Sequence, residues 1–505
     1  MRVTNPRAVA CAAALCSALS AAQSHAAGPI GPNDSPLTTS RYRVDLTQGV
    51  VLASSRVLGL AGAYVAIAEG VDGSTQNPAA PAVRLPYSYD HFDYDLGLGV
   101  TFPSSISGTD FFNTGQRTTL QSDQTGFAFL TVAGILQDGN WGFGLSVDLQ
   151  RYRLSRIDDG AAGLQEDQVF AQFGGARIQL ARRFYDGQLV LGAGSRGTGL
   201  IIENENPAPG QPTELFNATG AALELGMLWA PHSQRFRFGA ALRSAVLTGE
   251  PSSGVATETG GDRIIGDPTS AEAFYLPEKV TLPWDMNFGV AIQLGPRPLN
   301  PRWVDPGRVL EAFERHLAWR KRERERRREH AVARARQERR DVGAAERAAD
   351  AENAIEEALD ELARERREDA LRRKLRARYE SMRRFYVLVT SSLSVTGPVQ
   401  DGVGVESFLQ RRVDRSGEKV TLSPHLGIES EVVPHWLKVR AGSYGEPTRF
   451  DRGRSRLHGT VGFDLKLFPW TVFGLFEDGN HFRVSSAIDG AQRYFGWGLG
   501  VGVWH

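Results

Sequence analysis

The chain closes with 494-YFGWGLGVGVWH-505, and the run from Phe495 to Val503 alternates without a break. Phe495, Trp497, Leu499, Val501 and Val503 take one parity; Gly496, Gly498, Gly500 and Gly502 take the other. A period of two is the strand signature, because successive side chains point to opposite faces. Glycine weakens a strand in water, where a bare face packs against nothing. The pattern suits a strand whose apolar face meets lipid and whose bare face leaves space in a lumen.

The same period recurs upstream. Trp141, Phe143, Leu145, Val147 and Leu149 alternate with Gly142, Gly144, Ser146, Asp148 and Gln150. Phe288, Val290, Ile292 and Leu294 alternate with Gly289, Ala291 and Gln293, and Val461, Phe463 and Leu465 with Gly462, Asp464 and Lys466. A soluble sandwich also alternates, with its apolar face inward. Here aromatics open or close many strands and the strands are long, as spans of roughly 9–11 residues with aromatic girdles require. Fourteen strands are predicted, near 87–103, 124–136, 141–155, 168–183, 188–202, 217–230, 235–247, 280–294, 384–397, 420–432, 436–446, 456–468, 481–489 and 494–504. Short turns at Asp138-Gly139, Asp186-Gly187, Pro231 to Gln234 and Val433-Pro434 alternate with long polar loops, the asymmetry of an outer membrane barrel. The expected fold is all-β, a transmembrane antiparallel β-barrel.

The N-terminus reads as a secretory signal over 1–26. Arg2 and Arg7 precede an apolar stretch from Ala8 to Ala22, and Ser24-His25-Ala26 offers a small-x-small cleavage site. Both cysteines, Cys11 and Cys16, fall inside it, which removes disulfides and cysteine-ligated metals from the mature chain. Net charge is zero, from 58 basic and 58 acidic residues. An exported, cysteine-free, glycine-rich chain fits the outer membrane of a Gram-negative bacterium.

Residues 54–82, SSRVLGLAGAYVAIAEGVDGSTQNPAAPA, stand before the first strand. Small residues at Gly59, Ala61, Gly62 and Ala63 permit close packing in a confined space, and Pro78 and Pro81 stop helix or strand. The alternatives are a helix capped at the surface and, more weakly, a nucleotide loop without its strand–helix unit. This stretch resembles the start of the FadL-type outer membrane transporters of hydrophobic compounds and of the related PorV-like barrels. The matching residues are Arg56, Gly59, Gly62, Ala63 and Tyr64, then Glu69 and Asp72, then Asn77, Pro78 and Ala79. LPEKVTLPWDMNFGVAIQL (276–294) and HLGIESEVVPHWLKVRAGSYGEPTRF (425–450) are similar to later stretches of that family. The resemblance covers about 45–505 with one insertion. It departs at the end, where Trp504 is penultimate and His505 terminal.

The resemblance implies a monomer with an N-terminal plug over 27–86 that gates passive transport of hydrophobic small molecules, fatty-acid-like or aromatic. A non-transporting, PorV-like scaffold that docks partner proteins is the second reading. Glu224, Arg237, Asp285, Asn287, Asp464 and Lys466 are the expected lumen-lining candidates. No catalytic, cofactor or metal site is expected: His425, His458, His481 and His505 lack ligand spacing, and no local signature supports a Ser-His dyad.

Between barrel segments 87–303 (strands 1–8) and 385–505 (strands 9–14) lies 304–384, which is foreign to a barrel. It holds about two-fifths of the 58 Lys and Arg, including RKRERERRREH and RERREDALRRKLRAR. Asp305-Pro306 is a helix start. Leu310, Phe313 and Leu317, then Ile355, Leu359 and Leu362, then Leu371, Leu375, Tyr379 and Met382 recur at helical spacing. Two helices folding back as a hairpin are predicted, broken at Gly343, zipped at the base and held distally by ion pairs. Interleaved Arg and Glu mark a solvated helix pair rather than a nucleic-acid binder. Following the eighth strand, the hairpin is expected on the periplasmic side, open to a partner.

Overall fold

The computed structural model describes residues 30–504 apart from 86–87, 89, 104, 107–108, 116–124, 159–164, 205–212, 255, 268–272 and 470–480. The signal segment 1–26 and His505 lie outside the described residues. Fourteen antiparallel strands close into one barrel. In chain order they are β1 (Phe92–Phe102), β2 (Thr125–Asp138), β3 (Trp141–Asp158), β4 (Gln165–Phe184), β5 (Leu189–Asn204), β6 (Glu214–Trp229) and β7 (Phe236–Arg243). Then follow β8 (Asp285–Leu294), β9 (Val387–Thr396), β10 (Thr421–Val433), β11 (Leu437–Glu446), β12 (Arg456–Pro469), β13 (His481–Ala491) and β14 (Tyr494–Val503). β14 pairs back onto β1, with Gly500 opposite Gly99 and Trp497 opposite Phe102. The ring is closed.

Strand alternation sorts the two faces. On β3, Trp141, Phe143, Leu145, Val147 and Leu149 are exposed on the outside while Ser146, Asp148 and Gln150 are buried. An apolar outside is what hydrocarbon demands, since a Lys or Arg there costs about 2–4 kcal/mol at mid-bilayer. The two ends also differ. Gly139-Asn140, 185–188, 230–235 and 434–436 form one short-turn end, ringed by exposed Phe92, Trp141, Trp229 and Trp436, an aromatic girdle. At the other end long connections join β7 to β8, β9 to β10 and β11 to β12, while β13 and β14 join there through Gln492-Arg493 alone.

Two predicted strands divide. The wall strand expected over 235–247 stops at Arg243, and that over 280–294 begins at Asp285. Val246–Leu247 and Lys279–Leu282 leave the wall and pair with each other inside the lumen. Arg43–Asp45 runs parallel to Lys279–Leu282 on one side and to Gly402–Gly404 on the other. Pro283 explains the division, because it cannot donate to a ladder.

The N-terminal segment therefore descends through the barrel. Gly31 and Asp34 meet Arg415 and Arg452 among the long loops. Residues 43–45 cross in the internal sheet, and the plug follows with α1 (Ser55–Gly59), α2 (Gly70–Ser74) and a 3-10 turn at Ala80–Ala82. In the long-loop half, Val44, Phe127, Tyr152, Leu200, Ile202, Phe216, Val280 and Phe408 belong to one apolar core.

At the short-turn end two helices leave the wall between β8 and β9: α3 (Pro306–Gln337) and α4 (Val342–Glu380). Neither is apolar enough to cross a membrane. Asp305 caps α3 by accepting from the Gly307 amide. The break falls at 338–341 rather than at Gly343. Arg339 turns the chain at φ 52°, Asp341 caps α4 by accepting from the Ala344 amide, and Gly343 lies inside the first turn of α4. A side-chain cap outweighs the modest cost of glycine in a helix.

Candidate functional site: the plugged lumen

The plug is short of regular structure, so its backbone groups need partners from elsewhere. The wall supplies them in two ways. Some inward positions are glycines, which let plug backbone lie directly on wall backbone. A β-carbon at Gly192, Gly226 or Gly239 would overlap the Pro78 carbonyl, the Asn77 side chain or the Val65 carbonyl. One at Gly462 would sit 3.2 Å from the Gly59 α-carbon. On the last strand, β-carbons at Gly498 and Gly500 would each come within 3.6 Å of Ser55 Oγ. The bare face of β14 is bare because α1 packs against it.

Other wall positions carry donors aimed at plug carbonyls. Gln137 Nε2 on β2 donates to Pro81 O (2.8 Å) and Val83 O (3.1 Å). Gln179 on β4 donates to Ser74 O (2.8 Å), and Thr390 on β9 to Ala63 O (2.8 Å). Within the motif, Asn77 Nδ2 donates to Val65 O (2.9 Å) and to Met227 O of β6 (3.0 Å), while its Oδ1 accepts from the Ala79 amide (3.0 Å). Asn77 thus ties the two halves of the plug to the wall. Gly62 takes φ +78°, and a side chain there would press on Val51 and His425. Tyr64 is fully buried and donates to Glu69 O (3.1 Å).

Charges close around this framework. Arg56 donates to both oxygens of Glu429 (3.1 and 3.0 Å) and reaches Glu69 at 3.4 Å. Arg440 bridges Glu429 (2.6 Å) and Asp464 (2.6 Å). Arg483 joins Asp464 (3.2 Å) to Asp72 of α2 (2.5 Å). On the far side, Asp285 accepts from Arg196 (2.9 Å), Arg243 (2.7 Å) and Asn287 (2.9 Å), and Glu224 accepts from Gln179 (2.5 Å). Arg440, Asp464 and Glu224 are essentially sealed from solvent. Charges so placed persist only as closed pairs, because an unpaired one costs several kcal/mol.

The six lumen candidates separate accordingly. Glu224, Asp285 and Asn287 share one cluster, Arg237 and Asp464 belong to the plug-side network, and Lys466 is half-buried near the short-turn rim. Glu429, Arg440, Arg483, Arg196 and Arg243 were missed. Strand parity contained the signal: Lys438, Arg440, Gly442 and Tyr444 share the inward face of β11.

Both legs of the helical insertion end on the plug's anchors. Arg237 donates to Glu69 (2.8 Å) and Ile67 O (3.0 Å) in the plug, and to Asn300 (2.7 Å) and Leu299 O (2.6 Å) in the leg before α3. In the leg after α4, Tyr386 donates to Glu429 (2.8 Å), the partner of Arg56. A charged cavity of about 30 Å³ lies here, lined by Arg56, Glu69, Asp72, Lys438, Arg483 and Tyr379 of α4. That volume has room for about two water molecules.

Among solved structures the chain is similar to a Pseudomonas aeruginosa FadL homologue, at 11% identity and TM-score 0.45, with 90% of this chain and 99% of that one covered. It is similar to the P. putida toluene transporter TodX at 9% and 0.44, covering 90% and 98%, and to the CymD monoaromatic hydrocarbon channel at 10% and 0.43, covering 90% and 97%. No family model and no curated protein matches the chain. Its own geometry defines the class: a closed fourteen-stranded β-barrel with a lipid-facing outside and a lumen packed by an N-terminal plug.

Proposed function

We propose that this barrel resides in the outer membrane and admits hydrophobic small molecules passively, with residues 54–82 as the gate. The observation that carries this reading is the apolar, aromatic interior of the long-loop half. Phe111 meets Phe127 edge-on and Phe127 meets Tyr152 at a tilt, at 4.7 and 4.9 Å between centroids, and Phe216 and Phe274 flank Phe408 at 5.0 and 5.3 Å. A water-filled pore carries polar side chains at such inward positions. Aromatic clusters there suit an apolar solute entering from outside.

Below them the charged network bars an apolar solute from passing straight through. A second cavity offers another direction. It is lined by Ser54, Ser55, Val71 and Asp72 of the plug, by Gly97, Gly99 and Gly500 of the wall, and by Leu98 and Val501, whose side chains lie outside. The wall there is one bare backbone thick. Displacement of α1 and α2 would join the lumen to this thin wall.

The test is uptake of a radiolabelled long-chain fatty acid and of toluene by cells carrying the protein, an empty vector, or Phe127→Glu or Phe216→Glu. Faster uptake of either compound than in vector cells, reduced by the substitutions at equal surface levels, supports the reading. Uptake equal to vector for both compounds sinks it.

The ion-paired lumen favours a second reading, a scaffold that docks partners without transport. Under both, short turns face the periplasm, so α3 and α4 project there. A protease site placed at 340 should be cut only after permeabilisation. Null uptake, together with loss of periplasmic crosslinks when 308–382 is replaced by a short Gly/Asn turn, selects the scaffold.

A further inference from the structure

The helical hairpin is held together by charge along the face that α4 turns toward α3. Arg324 pairs with the buried Asp360, Arg327 donates to Glu356 at 2.7 Å, and Arg328 takes Asp350 at 2.6 Å together with Glu346. These contacts fix the rotation of α4, and that rotation leaves an apolar row outside. Ile355, Leu359 and Leu362 are 65%, 57% and 41% exposed. Spaced i, i+4, i+7, they share one helix face, away from Asp360. Ala348, Ala351 and Ala358 extend it, giving a strip of about 21 Å at 1.5 Å per residue. A run of large apolar side chains on a helix in water marks a binding surface.

We propose that this face of α4 docks a basic amphipathic helix of another protein, in a three-helix arrangement with α3. Charge selects the occupant. Of the seven acidic residues between Glu346 and Glu361, four (Glu346, Asp350, Glu356 and Asp360) pair closely with arginines of α3, which leaves Glu352, Glu357 and Glu361 on the solvent side. Glu352 flanks the strip on one side, and Glu361 and Glu365 on the other. A second copy meeting strip to strip would set acid against acid, which is repulsive. An anionic lipid surface or polymer meets the same repulsion. A partner helix of about fifteen residues, with apolar residues at i, i+3 or i+4, and i+7 and Lys or Arg beside them, satisfies both the strip and its rim.

The inference does not depend on transport, and its test uses no uptake. The probe is a fluorescent eighteen-residue peptide with leucines at i, i+4, i+7 and i+11 and Lys or Arg elsewhere. It is titrated against the full-length protein in a non-ionic maltoside detergent by anisotropy. Two controls carry the same composition with scrambled leucines, and the same leucines with Glu in place of the basic residues. The first peptide should bind at least tenfold tighter than either control, and weaken with salt. The triple variant I355S/L359S/L362S should lose that binding while its helical circular dichroism stays at the wild-type level, since the ion-paired face is untouched. Equal binding of the controls, or unchanged binding by a folded triple variant, overturns the proposal. A photo-crosslinker at position 359 that joins two copies of this chain in cells overturns it in favour of self-association.

Discussion

Arg237 of β7 and Glu69 of the plug lie 2.8 Å apart, and the same guanidinium holds Leu299 and Asn300 in the leg of the helical hairpin. Wall, plug and insertion therefore meet at one side chain. Removing one partner of a buried pair strands the other, at roughly 3–5 kcal/mol. Glu69→Gln or Arg237→Ala should loosen the plug while leaving the strand ladders intact. In planar bilayers each variant should show open-channel events well above wild type. Wild-type conductance from both would show that the pair does not restrain the plug.

Gly239 should tolerate no side chain. Its inward face is occupied by the Val65 carbonyl, so Gly239→Leu must push the plug aside. The barrel should still migrate faster before boiling than after, because closed strand pairing survives. Limited proteolysis of the purified variant should now cut within 54–82. Gly459, where an added β-carbon meets nothing within 4 Å, is the matched control and should resist cleavage as wild type does.

Leu465 and Lys466 are neighbours in sequence with opposite surroundings. Leu465 is exposed on the outside and Lys466 is half-buried at the inner rim. A cysteine at 465 should react with lipid-dissolved thiol reagents, and one at 466 with water-soluble ones. Both native cysteines lie in the segment 1–26, so removal of that segment leaves no background. Reversed labelling would place the register one residue off.

Asp414, in the long loop between β9 and β10, has its carboxyl pushed up to about 6, chiefly by burial. A carboxyl raised above its unfolded value favours the folded loop when protonated. Its contribution is fully present below about pH 4 and is lost as pH rises through about 6. A two-unit shift corresponds to roughly 2.7 kcal/mol. Hydrogen exchange across 399–417 should therefore accelerate between pH 4.5 and 7, once corrected for intrinsic rates. Asp414→Asn should abolish that pH dependence; an unaltered profile would assign it elsewhere.

The sequence by itself determined the wall. The number of strands and their inward and outward parities follow from a period of two read against lipid on one side, and the two unlike ends from turn and loop lengths. Both are local information, though where the strands over 235–247 and 280–294 leave the wall was not legible in them. The alternation of Phe495 to Val503 is enough to set the faces of β14. The helix start at Asp305-Pro306 was legible for the same reason. The break at 338–341 was not, because Asp341 and Gly343 compete and the cap prevails. Tertiary structure decided what the lumen contains. Arg56 finds Glu429 373 residues away, and Arg43–Asp45 finds Lys279–Leu282 and Gly402–Gly404. Such pairings depend on how ring closure and strand stagger bring distant strands to one height, and residue spacing along the chain does not encode that. The outward turn of Ile355, Leu359 and Leu362 was likewise set by Asp360 and its arginines across the hairpin. Helical spacing shows that three residues share a face; only the neighbouring helix decides which way that face looks.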